Sequence, residues 1–320
     1  PLPEYNTFVV RRSLDELLAE PARRILEQEV LPAYLPKRRW FGAKDDRIER
    51  TRIAEVFTLP ALAPPVLLVQ VEVHTRRADE RYLLPFGFIS EDAVSTALPQ
   101  QLALARVRRG KQVGLLTDAF ALDSFVRRLL EMLITGSQVS TASGKLRFLP
   151  TSRLAGLNIA PDAEVRRVNI EQSNSSVIVG AQVIIKLLRR IENGIHPEAE
   201  VGRYLAEHGY RNTSPALGEI RRASPDGEPR TLAVVQGFLR NQGDGWTWAL
   251  GYLARALEDA GLATQAGHDG ATTAELMAPY EAFGAMIGKR LAELHACLSQ
   301  PSDDPAFAPE TAGKSDVAAW

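Results

Sequence analysis

The sequence has one cysteine, no long apolar run and almost no net charge, and each shortage excludes a class of protein. Cys297 has no partner, which excludes an intrachain disulfide and favours a reducing, cytoplasmic location. Apolar runs such as residues 65–69 are far shorter than the roughly 20 residues of a membrane-spanning helix. With 38 basic and 39 acidic side chains, the net charge of -1 creates no strong field for nucleic acid or an anionic membrane. We therefore expect neither as a partner.

Histidine is also scarce, and its spacing does not indicate a metal centre. The five histidines are scattered, and none makes a ligand-spaced pair with another histidine or with Cys297. We therefore predict no metal-binding residues in this chain. At 45% hydrophobic and 24% charged residues, the chain has the composition of an ordinary globular protein that can bury a sizeable core.

Periodicity predicts an α+β protein in three parts. Residues 1–95 begin with helices and continue with strands between 52 and 89, which indicates a compact α+β unit. Residues 96–240 end in the order β-β-β-α-β-β. Residues 241–320 are helical, with loops expected at 259–274 and over about the last twenty residues.

Lys186 is the most informative residue, because it stands in the apolar strand Val183–Leu188. A lysine there must reach water or an anionic partner, since an unpaired buried ammonium is costly. One reading is an edge-strand lysine with a solvated head group. The other pairs it with Glu200, on a helix opened by Pro197. Glu198 and Glu200 lie about 200° apart on that helix, so only one of them faces the sheet.

Two further segments flank this strand. Gln172, Ser173, Asn174, Ser175 and Ser176 form a polar turn whose amides and hydroxyls suit phosphate oxygens. Ordinary Ser/Asn turns have the same composition, and Arg203 competes as an ion-pair partner for Glu200. The exit of the last strand, Gln236, Gly237, Phe238 and Leu239, would be the hinge that meets adenine in a kinase-like fold. It also suits a Gly-rich approach to the next helix, with Asp244 near its N-cap.

At these residues the sequence resembles a known family, the bacterial maltokinases, including the kinase portion fused behind some trehalose synthases. Each matching word is weak alone, but their order and spacing together are specific, and the resemblance runs from about residue 4 to residue 310. The words are Arg39-Trp40-Phe41-Gly42, Glu171-Gln172-Ser173-Asn174-Ser175-Ser176, Ile185-Lys186-Leu187, Glu200-Val201-Gly202-Arg203, Asp244-Gly245-Trp246 and Leu291-Ala292-Glu293-Leu294-His295.

The resemblance implies an N-terminal cap (1–95), a protein-kinase-like nucleotide lobe of the aminoglycoside-phosphotransferase type (96–240) and the first helices of a second lobe (241–320). It implies phosphoryl transfer from ATP, with Mg²⁺, to maltose, giving maltose 1-phosphate in trehalose and glycogen metabolism. Lys186 matches the nucleotide-phosphate lysine and Glu200 its ion-pair partner. Residues 172–176 match the phosphate-covering loop, and residues 236–239 match the hinge. A trehalose synthase, fused or associated, is the implied partner.

The sequence departs from that family at one decisive point. It contains neither a His-Gly-Asp-x-His-x-x-Gln loop nor an Asp-Phe-Glu strand end, which would supply the base and the magnesium ligands. We therefore expect a truncated kinase with no catalytic residue in this chain and no phosphoryl transfer by it. The alternatives are a kinase for another sugar and a non-catalytic kinase-like docking or regulatory domain of a trehalose synthase fusion.

Overall fold

A computed structural model describes most of the chain. The described residues are 5–141, 144–168, 173–224, 227–265 and 273–320. Contacts between Cα atoms divide the chain into two compact units, which are described separately here. The first unit contains Pro1–Arg203 and Pro215–Phe238, and the second contains Tyr204–Ser214 and Leu239–Trp320.

The first unit begins with a six-stranded sheet, which we call the cap sheet. Its strands are β1 (Thr7–Val10), β2 (Ile48–Leu59), β3 (Val66–Thr75), β4 (Asp79–Ser90), β5 (Ala103–Arg109) and β6 (Gln112–Asp118). Their order is β1-β5-β6-β4-β3-β2, with β1 parallel to β5 and the other pairs antiparallel. The sheet therefore continues past residue 95, because β5 and β6 pair back onto β4.

A seven-stranded antiparallel sheet, the lobe sheet, follows in the same unit. Its strands are β7 (Gln138–Ser140), β8 (Lys145–Pro150), β9 (Val165–Val168), β10 (Asn174–Val179), β11 (Val183–Leu188), β12 (Ala216–Ser224) and β13 (Gly227–Gly237). Their order is β7-β8-β12-β13-β11-β10-β9. This places β11, which carries Lys186, in the interior of the sheet, so the edge-strand reading of Lys186 is wrong.

The described residues include eight α-helices. They are α1 (Ala22–Ile25), α2 (Leu31–Tyr34), α3 (Leu98–Gln101), α4 (Asp123–Ile134), α5 (Pro197–Glu207), α6 (Gly245–Gln265), α7 (Thr273–Leu298) and α8 (Lys314–Ala319). The β-β-β-α-β-β order is confirmed by β9, β10, β11, α5, β12 and β13. The loops expected at 259–274 and at the end were wrong in part. Helix α6 extends to Gln265, α7 begins before Pro279 and contains it, and α8 occupies Lys314–Ala319.

Among the described residues of the first unit, two large apolar cores pack against opposite faces of the cap sheet. The outer core packs that sheet on the helical segments between Leu14 and Leu35, and it buries Trp40 and Phe41. The inner core joins the cap sheet, α4 and one face of the lobe sheet. Because apolar side chains from both sheets contribute to the inner core, the cap packs directly on the lobe sheet.

Aromatic side chains of α6 and α7 contact one another in the second unit, and several large apolar side chains there are exposed. The Trp248 ring centroid lies 4.2 Å from that of Phe283 and 5.3 Å from that of Tyr252. Trp246 is 74% exposed, and several other large apolar side chains are also exposed. These include Leu250, Leu257, Met286, Ile287 and Leu291. In the part of the chain that the structure describes, no helix is both long and apolar enough to span a membrane.

Candidate functional site

Lys186 lies in a row of residues that crosses the lobe sheet. On β11 it is in register with Ser176 of β10 on one side and Val234 of β13 on the other. Val234 is in turn in register with Glu219 of β12. Because residues in register share a face of a sheet, Lys186 points away from the inner core, which receives Ile185 and Leu187 of the same strand.

The Lys186 ammonium contacts Glu198 instead of Glu200. The Nζ atom lies 2.5 Å from Glu198 Oε1, and the two side chains are 22% and 29% exposed. The pair is therefore partly desolvated and also within reach of a ligand. The prediction that a helix glutamate holds Lys186 is confirmed, but the choice of Glu200 was wrong. Arg203 does not compete for Glu200 either, because it pairs with Glu219 at 3.3 Å.

The rotation of α5 explains why Glu198 is selected. Ala199 is buried in a small apolar cluster with Leu188 and Val234. Successive helix residues are about 100° apart, so an inward Ala199 sends Glu198 and Glu200 to opposite sides of the contact. Lys186 lies on the Glu198 side.

His196 fixes the start of α5. Its backbone N–H donates to Thr231 Oγ1 at 3.0 Å, and its ring Nδ1 accepts the Glu198 N–H at 3.2 Å. Pro197 follows at the first position of the helix, where its missing N–H breaks no helical bond. These two hydrogen bonds of His196 therefore hold the backbone of Glu198 in place at the start of α5.

Glu219 ties the other side of α5 to the sheet. Its nearly buried carboxylate pairs with Arg203 of the helix and with Arg221 of its own strand. A cavity of about 130 Å³ lies beside these groups and is also lined by Glu198. The helix is thus held by one ion pair on each side, Glu198 with Lys186 and Arg203 with Glu219.

The predicted phosphate turn divides between the two faces of β10. Gln172 lies outside the described residues, and Ser173 is exposed. Asn174 and Ser176 alternate onto the face that carries Lys186, where Asn174 is half-buried and Ser176 is completely buried. Ser175 lies on the opposite face, where its hydroxyl accepts a bond from Arg189 Nε at 2.7 Å. Its side chain therefore does not face a ligand at Lys186, which corrects its predicted role as a side-chain ligand. Residues 174–176 lie in strand β10 and not in a turn, which corrects the prediction for this segment; phosphate binding by Ser173 and Asn174 stays a prediction.

The predicted hinge uses some of its backbone groups inside the protein. The Gly237 N–H donates to Pro215 O at 2.8 Å, and the Phe238 N–H donates to Gln182 O at 2.7 Å. These two amides are already bonded and are not available to an adenine ring. Gln236 is in register with Ile184 and so shares the Lys186 face of the sheet, and Leu239 is exposed.

Asp244 caps the next helix, α6. Its carboxylate accepts the Thr247 N–H at 2.8 Å and the Thr247 hydroxyl at 2.9 Å. These hydrogen bonds hold the pKa of Asp244 below its usual value, the backbone bond contributing most. The N-cap reading of Asp244 is therefore confirmed.

The described residues include no candidate metal site, and one sizeable cleft lies away from Lys186. Within the described ranges, no three His, Cys, Asp or Glu side chains come together as a metal site. A cleft of about 870 Å³ lies in the cap, between α2 and β5, and contains none of the predicted site residues. What the Lys186 region offers chemically is a fixed ammonium beside polar side chains, which suits an anionic ligand.

Sequence reasoning missed two buried ion pairs that join the cap sheet to the lobe sheet. Arg189 Nη2 lies 2.7 Å from Asp118 Oδ2, and Arg222 Nε lies 3.0 Å from Glu55 Oε2. The alternation of side chains between the two faces of a strand could have indicated the burial of Arg189. Arg189 follows Ile185 and Leu187 at spacings of two residues, and both of these are buried on one face of the sheet. Its position in the sequence therefore indicates that Arg189 is buried on the same face.

Comparison with solved structures identifies the fold as kinase-like. A glucosamine kinase in complex with glucosamine, ADP and inorganic phosphate superposes with a TM-score of 0.50 at 21% identity. A second crystal form of glucosamine kinase gives a TM-score of 0.51 at 20% identity. Each comparison covers 91% of this chain and 55% of the other. The chain thus spans about half the length of these structures, and the likeness at this identity establishes the fold alone.

The cap can be named more narrowly. Residues 34–121 match the maltokinase N-terminal cap domain. Sequence relatives include a glucosamine kinase of Mycolicibacterium smegmatis, 32% identical over 132 residues, which are 41% of this chain and 29% of the relative. A glucosamine kinase of Streptacidiphilus jiangxiensis is 30% identical over 165 residues, 50% of this chain and 33% of the relative. The chain therefore has a kinase-like fold with a maltokinase-type cap, and it matches about a third of each curated relative.

Proposed function

We propose that this chain supplies the cap and the ATP-binding lobe of a sugar kinase of the maltokinase type. The observation that carries the proposal is the Lys186–Glu198 ion pair, in an interior strand of a kinase-like lobe sheet and at the edge of solvent. A lysine held in this way neutralises nucleotide phosphates and orients them for transfer. The ADP in the solved glucosamine kinase supports a nucleotide as the ligand.

The acceptor we propose first is maltose, phosphorylated to maltose 1-phosphate in trehalose and glycogen metabolism. The match of residues 34–121 to the maltokinase cap supports it. Glucosamine is the second candidate, because the similar curated proteins are glucosamine kinases. Magnesium is the proposed companion of ATP, and a trehalose synthase remains a proposed partner.

We further propose that these 320 residues do not transfer phosphate to sugar unaided. Kinase catalysis needs a base and metal-held charge stabilisation, and the sequence contains neither the His-Gly-Asp nor the Asp-Phe-Glu motif that supplies them. A non-catalytic docking or regulatory domain remains the alternative. Both readings predict nucleotide binding, so sugar phosphorylation by a protein that also carries those motifs distinguishes them.

The test is calorimetric titration of the chain with ADP and Mg²⁺, beside the Lys186→Met variant. We expect saturable binding by the wild type and a loss of affinity of about tenfold or more in the variant, because the charge that meets the phosphates is gone. Lys111→Met is the control, since Lys111 lies at the turn between β5 and β6 of the cap sheet. Equal affinity in all three proteins would refute the assignment. ADP release that depends on maltose or glucosamine would refute the proposed inactivity.

A further inference from the structure

Arg189 is almost completely buried, although it carries a full charge. It follows β11, three residues after Lys186, and its side chain is 1% exposed. The alternation along β11 turns Lys186 to one face and Arg189 to the other, into the space between the two sheets. A guanidinium in that space is tolerated only when its donors are satisfied. Its partners therefore show which elements it holds.

Those partners come from three different strands. Arg189 Nη2 pairs with Asp118 of β6 at 2.7 Å, and Nη1 donates to the Leu83 carbonyl of β4 at 3.3 Å. Nε donates to Ser175 of β10 at 2.7 Å. The Trp40 ring centroid lies 5.0 Å from the guanidinium carbon, which adds a cation–π contact. One side chain thus joins two cap strands to β10 and β11.

The backbone reinforces the same junction. The Leu83 N–H donates to the Arg189 carbonyl at 2.7 Å, and the Ile191 N–H donates to the Arg81 carbonyl at 2.8 Å. The chain leaving β11 therefore runs along β4 as a short antiparallel pair. Ser175 belongs to the predicted phosphate-binding segment at the start of β10, and Lys186 belongs to β11, which ends just before Arg189.

We propose that Arg189 is a positioning residue for nucleotide binding, which fixes β10 and β11 against the cap so that Asn174 and Lys186 meet the phosphates together. The proposal rests on the proposed function of Lys186. Arg189 itself points to the opposite face and does not touch the nucleotide. Through Asp118, the cap thereby helps to hold β10 and β11 in place.

The second buried ion pair provides a matched control. Arg222 and Glu55 also join the lobe sheet to the cap sheet, with Arg222 Nη2 donating to Glu55 Oε1 at 3.1 Å. They lie on β12 and β2, and neither strand pairs with β10 or β11. A purely structural role predicts the same consequences for both pairs, whereas a positioning role predicts different ones.

The experiment compares Arg189→Lys and Ser175→Ala with Arg222→Lys, at a temperature where circular dichroism shows all of them folded. Titration with ADP and Mg²⁺ should show about tenfold weaker binding for R189K, because a displaced phosphate ligand loses its alignment. The S175A variant, which removes only the link to β10, should shift the affinity less but in the same direction. Wild-type affinity in R189K, or an equal loss in R222K, would overturn the proposal.

Hydrogen exchange separates this proposal from the proposed function. In R189K the amides of Val183–Leu188 should exchange faster than in R222K, whose effect should appear in β12. If the wild type fails to bind ADP while this pattern holds, the nucleotide assignment fails but the strand-holding role stands. If exchange in Val183–Leu188 is unchanged in R189K, Arg189 does not hold the strand and the proposal fails whatever the affinity.

Discussion

Removing the Glu198 carboxylate should lower the free energy of unfolding, whereas removing the Glu200 carboxylate should leave it almost unchanged. In Glu198→Gln, the amide oxygen can still accept a bond from the Lys186 ammonium, but the bond no longer joins two opposite charges. The difference between the two kinds of bond is about 1 kcal/mol. Since Lys186 and Glu198 stay 22% and 29% exposed, solvent screening keeps the effect near the lower end, at about 0.5–1 kcal/mol.

A double-mutant cycle isolates this contribution from side effects of the substitutions. The cycle of Lys186→Met with Glu198→Gln should give a coupling free energy of about 0.5–1 kcal/mol, and the cycle with Glu200→Gln about zero. Urea unfolding measures it, with a midpoint shift of about 0.25–0.5 M for a slope of about 2 kcal/mol/M. Trp40 reports the first unit alone if the three tryptophans of the second unit are replaced by phenylalanine. Coupling to Glu200 that equals or exceeds coupling to Glu198 would refute the geometry.

Three further outcomes follow from other contacts. Glu55→Gln should lower the free energy of unfolding by about 3 kcal/mol, because Arg222 stays buried without that carboxylate. Replacing both residues by Met should restore most of the lost stability, and the urea midpoint measures both effects. No loss of stability in the single variant would contradict this prediction. Ala181→Gly should raise the stability by about 0.5 kcal/mol, because Ala181 has a left-handed φ of 51° that glycine adopts freely, and a lower melting temperature would count against it. The Asp244 carboxylate has a lowered pKa in the folded chain, so its stabilisation of α6 is present above the usual value of 3.8 and is lost as the pH falls through the folded value. The difference in helicity between wild type and Asp244→Ala, measured by circular dichroism, should therefore shrink as the pH is lowered. A difference that grows at low pH would contradict this prediction.

Five strands of the lobe sheet, β9 to β13, were predictable because each carries its own pattern, whereas the short strand β7 was missed. Val183–Leu188 is bounded by turn residues and is continuously apolar except for Lys186, and the structure gives the same bounds. The seven-strand order could not be read in this way, because pairing depends on contacts between residues far apart in the chain.

The partner of Lys186 shows the limit of local reasoning. Sequence spacing establishes that only one of Glu198 and Glu200 faces the sheet, but the rotation of α5 decides which. That rotation is set by Ala199, which packs on the lobe sheet, and by the bond from the His196 N–H to Thr231, and both are tertiary contacts. The buried position of Arg189 was visible in the strand alternation. Its partner Asp118 was not, because it lies 71 residues away in another sheet.

The central claim is that nucleotide phosphates bind beside Lys186. The most direct test is a crystal structure of this chain with ADP and Mg²⁺. We predict a phosphate oxygen within about 3 Å of Lys186 Nζ, with Glu198 still in contact with the same ammonium. The account is contradicted if ADP occupies another site, such as the cleft between α2 and β5, while Lys186 and Glu198 keep their positions with no phosphate nearby.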